Sequence, residues 1–105
     1  MKKLRLMRIT TNSDNPNYLN YKKIIKNYLV QIKDRNIIID EKIIRDNKFK
    51  MELFGYDKNK KMETSKFDET ILKKIFNKID KMPIRRMEIL QRKYINLKNK
   101  VENNK

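Results

Sequence analysis

The stretch Phe49–Arg86, FKMELFGYDKNKKMETSKFDETILKKIFNKIDKMPIRR, states the plan of this chain most clearly. Phe49, Met51 and Leu53 alternate with Lys50 and Glu52, the two-residue period of a strand with one apolar face. Gly55 to Lys60 supplies turn residues, and Met62 and Thr64 begin a returning strand, so the segment reads as a hairpin. Ser65 and Asp68 can each cap a helix in which Phe67, Ile71, Leu72, Ile75, Phe76, Ile79 and Met82 recur at helical steps. Pro83 has no amide to donate and restricts Met82, so the helix ends or kinks there.

Working upstream, residues 3–9 mix Leu4, Leu6, Met7 and Ile9 with Lys3, Arg5 and Arg8, an imperfect alternation that suits a first strand. A polar loop, Thr10 to Asn15, leads to Pro16, and Asn followed by Pro is a helix-start signal. Across 17–33 the residues Tyr18, Tyr21, Ile25, Tyr28, Leu29 and Ile32 fall at helical spacing, which predicts one helix with its tyrosines in the core. Ile37-Ile38-Ile39 is a continuous β-branched run and reads as an interior strand covered on both faces. Strand, helix and strand in so short a span make a βαβ unit with parallel pairing. The pattern from Glu41 to Asn47 is weak; Ile43 and Ile44 extend the strand or cover an edge.

Downstream, Ile84, Met87, Leu90, Tyr94, Leu97 and Val101 recur at steps of three and four, predicting a last amphipathic helix. The expected division is therefore a domain over 1–83 and a basic helix over 84–105 that packs on the domain or on a partner, itself included, through Met87, Leu90, Tyr94 and Leu97. Arg85, Arg86, Arg92, Lys93 and Lys98 fall largely away from that seam.

Composition bounds the chemistry. Among 105 residues there is no Cys and no His, which removes thiol nucleophiles, disulfides, thiolate metal sites and the usual base near neutral pH. No cofactor and no metal is expected. The 28 basic residues against 13 acidic give +15, a charge that fits a nucleic-acid or other polyanion partner. Usage rich in Lys, Asn and Ile is also that of a strongly AT-rich coding sequence, so the charge has two candidate origins. The start MKKLRLMRI has an apolar run broken by arginines and no small-residue cleavage site, and no run is long enough to span a bilayer. A soluble, cytoplasmic protein is expected.

The order strand, helix, strand, then hairpin and helix is the minimal order of a thioredoxin-like α/β fold, β-α-β-β-β-α, here followed by the C-terminal amphipathic helix. Phe54-Gly55-Tyr56-Asp57, the helix end Ile75-Phe76 to Ile79-Asp80, and Met82-Pro83-Ile84-Arg85-Arg86-Met87-Glu88 resemble the C-terminal signature of a thioredoxin-like family of unknown function with peroxiredoxin-like relatives. Asp14-Asn15-Pro16 and Arg35-Asn36-Ile37-Ile38-Ile39-Asp40 follow the family order more loosely, so the likeness covers residues 3–89. Ile84 departs from the family's methionine, and the extension past residue 89 lies outside the likeness.

The resemblance implies a site in the loop from the first strand into the first helix. Here that loop holds Thr10, Thr11, Asn12 and Ser13 and no sulfur, so thiol redox activity has no nucleophile. Its hydroxyls and backbone donors are candidates for a small anion or a peptide. Arg85 and Arg86 beside Pro83 are candidates for a carboxylate or phosphate, or for a tie to Asp80, and Arg92, Lys93 and Lys98 for a polyanion. Asp40, Asp57, Asp80 and Glu88 have no spacing that singles out an acid/base pair, so no catalytic residue is assigned. The expectation is a cysteine-free thioredoxin-like binding or scaffold module, with a basic nucleic-acid-binding protein as the alternative.

Overall fold

The structure, a computed structural model, describes residues 3–103, with side chains described as far as residue 93. The chain is mixed α/β. Its order is β1 (Arg5–Thr11), α1 (Pro16–Ile25), α2 (Leu29–Asp34), β2 (Ile37–Ile43), β3 (Phe49–Phe54), β4 (Lys60–Thr64), α3 (Glu69–Asp80) and α4 (Pro83–Asn103). It divides into two compact units, Met1–Ile75 and Phe76–Lys105, with the boundary inside α3.

The first unit is built on a four-stranded sheet of order β2-β1-β3-β4. β1 pairs parallel with β2, Arg5 opposite Ile37 through Thr11 opposite Ile43, and antiparallel with β3, Leu6 opposite Phe54 through Thr11 opposite Phe49. The parallel pair expected of a βαβ unit is thus present. β3 and β4 form the hairpin, with a register shift between Leu53 and Phe54. In its turn Gly55 N–H donates to Asn59 O, Asn59 N–H to Asp57 Oδ1, and Lys58 takes a left-handed φ of 67°.

Two expectations need correction. β2 is an edge strand, not an interior one: Ile37 is buried, but Ile38 and Ile43 are 45% and 53% exposed. A β-branched run reports strand propensity, and here it is followed at once by Asp40-Glu41-Lys42, which suits a half-solvated edge. The interior strand is β1. The helix expected over 17–33 is two helices, because Asn27 and Tyr28 donate to Ile24 and Ile25, tight three-residue bonds that close α1 before α2 opens. The apolar spacing continues across this break, which hides it from a periodicity argument.

One face of the sheet carries the core. Arg5, Met7, Ile9 and Thr11 of β1 and Phe49, Met51 and Leu53 of β3 are buried, and the helices supply Tyr18, Tyr21, Ile25, Ile32, Leu72 and Ile75, with Phe67 from the segment before α3. Each large apolar side chain so buried contributes about 1.5–3 kcal/mol. Tyr18 stacks on Tyr21, and Tyr21 meets Phe67 edge-on, so these tyrosines pack rather than present a face to bases. Tyr28 is half-buried and donates its hydroxyl to Glu69. The other sheet face bears Leu6, Arg8, Thr10, Lys50, Glu52 and Phe54, all half-buried or exposed.

In the second unit α3 ends at Asp80 and Pro83 opens α4 at its first position, where a missing amide costs nothing. Phe76, Ile79 and Arg85 are buried.

Candidate functional site

The handover from β1 to α1 is knitted to the loop over 44–48. Asn12 Nδ2 donates to Ile44 O and Arg45 O at 3.1 and 3.0 Å, and its N–H donates to Lys48 O. Asn12 Oδ1 accepts from Asp14 N–H at 2.9 Å, and the buried Thr11 donates from Oγ1 to Asn12 O at 3.0 Å. Asn15 caps α1 by accepting from Asn17 N–H at 2.8 Å while its Nδ2 donates to Asn47 Oδ1 at 3.3 Å. Three amides in the expected anion cradle, those of Asn12, Asp14 and Asn15, therefore already donate within the chain, as does that of Asn17 in the first turn of α1. Ser13 is exposed and Thr10 half-buried.

Beside this loop lies an open polar groove of about 570 Å³. Asn15 and Asn17 from the start of α1, Asn47 and Lys48 from the loop before β3, and Thr64 and Ser65 from the end of β4 line it. With Phe49, Lys50 and Glu63 also in the lining, it offers amides, hydroxyls, two ammonium groups, one carboxylate and an aromatic ring. Two of these charges pair, Lys50 lying 3.2 Å from Glu63, and they join a network in which Lys60 lies 3.1 Å from Glu52. Lys50 holds the Glu63 carboxyl below its usual value, and Glu52 raises Lys60. Among the described residues Lys48 has no acidic partner. The sequence points to Thr10 to Ser13 but carries no signal for the 47–50 and 63–65 segments.

Arg5 is the second miss. It is 1% exposed, on the core face of β1, where Nη1 donates to Arg35 O at 2.7 Å and to Tyr56 Oη at 2.9 Å. Its guanidinium lies 4.0 Å from the Tyr56 ring centroid, and Asn36 Nδ2 donates to the same hydroxyl. The group fastens the start of β1 to the α2–β2 corner and the hairpin turn. Arg8, on the other face, lies over Phe54 and reaches Asp40 at 3.6 Å, with both side chains about half exposed. There Leu4, Leu6, Ile38 and Phe54 line a second, more apolar hollow of about 390 Å³.

In the second unit Arg85 and Arg86 part company. Arg85 is 3% exposed and bonds Asp80 and Glu88, each at 3.2 Å, whereas Arg86 is exposed. Arg92 and Lys93 are exposed, as are Met87 and Leu90 at 61% and 63%. The side chains of Tyr94, Leu97 and Lys98 lie outside the described residues. Of the acids weighed for catalysis, Asp40 serves Arg8, Asp57 serves Lys61 at 2.7 Å, and Asp80 and Glu88 serve Arg85. Among the described residues no group of acids is placed to hold a metal, and no helix is long and apolar enough to cross a membrane.

Fold and site together define a mixed α/β protein with a polar groove at the head of its first helix. Comparison with protein-family models and with curated proteins gave no match for this chain.

Proposed function

We propose that the chain is a cysteine-free thioredoxin-like binding or scaffold module with no thiol redox activity. The observation that carries this reading is the β1–α1 handover: where a thioredoxin-like enzyme keeps its thiol, this chain keeps Asn12 and Asn15, spent on bonds to the 44–48 loop. The strand order β2-β1-β3-β4 with β3 reversed supports the thioredoxin-like part, as do the residues of the family likeness. The groove beside the handover suits an extended, polar protein segment carrying a carboxylate for Lys48. The helix α4 then serves as a basic element whose exposed Met87 and Leu90 meet a partner.

A second reading, polyanion binding, is favoured by one observation: Arg86, Arg92 and Lys93 are all exposed on α4, with Arg86 and Lys93 two turns apart on one stripe. An amide-resolved NMR titration of the full chain separates the two. A short extended Glu/Thr peptide should shift the signals of Asn15, Asn17, Asn47 and Lys48 saturably. If that peptide leaves these amides unmoved, while single-stranded DNA shifts α4 amides with an affinity falling steeply as salt rises, the first reading fails and the second takes its place.

A further inference from the structure

The two edges of the sheet are unequally defended. β4 is short, opens with Lys60-Lys61, and pairs through an irregular register, all devices that discourage a further strand. β2 runs seven residues without Pro, Gly or register shift, and no strand among the described residues pairs with its outer side. The bonds that bracket its ladder to β1, Arg5 N–H to Asn36 O and Ile44 N–H to Thr11 O, both 2.8 Å, fix the phase. Even-numbered residues of β2 turn their main-chain groups toward β1. Ile37, Ile39, Glu41 and Ile43 turn theirs outward.

Exposed apolar side chains gather at this same edge. Ile38 and Ile43 on β2, and Leu29 and Val30 on the neighbouring α2, are 45%, 53%, 55% and 80% exposed. We propose that a second copy of this chain pairs antiparallel with the β2 edge, across a two-fold axis at Glu41, to make one continuous sheet. The outward phase allows few registers, because odd residues must face odd residues. Centring on Asp40 sets Asp40 against Asp40 and Ile38 against Lys42, and centring on Lys42 sets Lys42 against Lys42 and Asp40 against Ile44. Centring on Glu41 sets Asp40 against Lys42 of the second copy twice, on the open face, and Ile39 against Ile43 twice, on the core face. Opposite charges and β-branched pairs are both favourable across strands. The one like pair, Glu41 with Glu41, is the cost of this register, and each carboxylate has the hydroxyl of its own Tyr18 beside it. Among the described residues Lys42 has no acidic partner within its own chain. Being isologous, the contact closes at two copies, and the axis sets both helical layers on one side of the joined sheet, α2 beside α2.

Sedimentation equilibrium of the full chain tests this, with circular dichroism to confirm that each variant is folded. The wild type should have twice the chain mass, Asp40→Lys or Lys42→Asp alone should raise the dimer dissociation constant about tenfold, and the double exchange should restore it. Ile43→Pro removes only an outward amide, so it should give a folded monomer. A wild type that stays monomeric at its highest soluble concentration overturns the proposal. So does a dimer indifferent to Ile43→Pro and the charge exchange, or one abolished by Leu90→Glu instead. This interface is independent of the groove, and its failure would leave the proposed binding function standing.

Discussion

Replacing Arg5 by Met probes the placement that the sequence pattern conceals. The guanidinium makes charge-assisted bonds to Arg35 O and Tyr56 Oη and lies on the Tyr56 ring, all with 1% exposure. Charge-assisted hydrogen bonds contribute about 1.5–3 kcal/mol each, and a desolvated cation–π contact about 2 kcal/mol. Met refills much of the volume and relieves the cost of burying a charge, which returns about 2–4 kcal/mol. The net loss is about 2–4 kcal/mol, or a fall of roughly 10–20 °C in Tm for a domain of this size. Arg8→Met is the control, since its pair with Asp40 is half exposed and salt bridges of that kind contribute about 0–1 kcal/mol. Urea unfolding followed by circular dichroism measures both. A loss below about 1 kcal/mol for Arg5→Met, or equal losses for the two variants, would refute the inward placement of Arg5.

The same packing has other measurable consequences. Leu53→Ala, at a fully buried position in β3, should lower the urea midpoint by an amount equal to about 2.5–4 kcal/mol. Asn15→Ala removes the cap on Asn17 N–H and the tie to Asn47, and should cost about 1–2 kcal/mol in the same assay. Burial, and then Glu41 and Tyr18, push the Tyr21 hydroxyl above its ordinary value of 10.0. Its raised value means that the stability it supports is complete below pH 10.0 and is lost as pH rises beyond, so Tyr21→Phe should flatten the alkaline fall in urea midpoint. Lys50 holds Glu63 low, so that contribution is present above the ordinary carboxylate range and lost as pH drops through the lowered value; Glu63→Gln should flatten the acid limb.

The hairpin, α3 and the stop before Pro83 were legible because each states a period and a boundary: Phe49-Met51-Leu53 at steps of two, Phe67 to Ile79 at helical steps, then Pro. The α1 start was legible for a similar reason, since Asn15 and Pro16 carry the cap and the fixed φ in their own chemistry. The edge position of β2 was not, because Ile37-Ile38-Ile39 reports backbone preference while neighbours are set by long-range pairing. The break at Asn27 was hidden by an apolar spacing that continues across it. Of the candidate site, the β1–α1 loop is what the thioredoxin-like resemblance implies once the element order is read. The 47–50 and 63–65 segments could not be read in this way, since they meet Asn15 and Asn17 only once β3 lies beside β1. Arg85 and Arg86 are equivalent candidates on the sequence, and only the depth of Arg85 beside Asp80 and Glu88 tells them apart.

The central claim, that this is a binding module working through the groove at the head of α1, is tested most directly by comparing two charge reversals against the same two ligands. Affinity for the Glu/Thr peptide and for single-stranded DNA is measured with the wild type, Lys48→Glu and Lys93→Glu. The account predicts that Lys48→Glu weakens the peptide about tenfold while Lys93→Glu leaves it unchanged. Peptide binding untouched by Lys48→Glu, beside DNA binding abolished by Lys93→Glu, would contradict it.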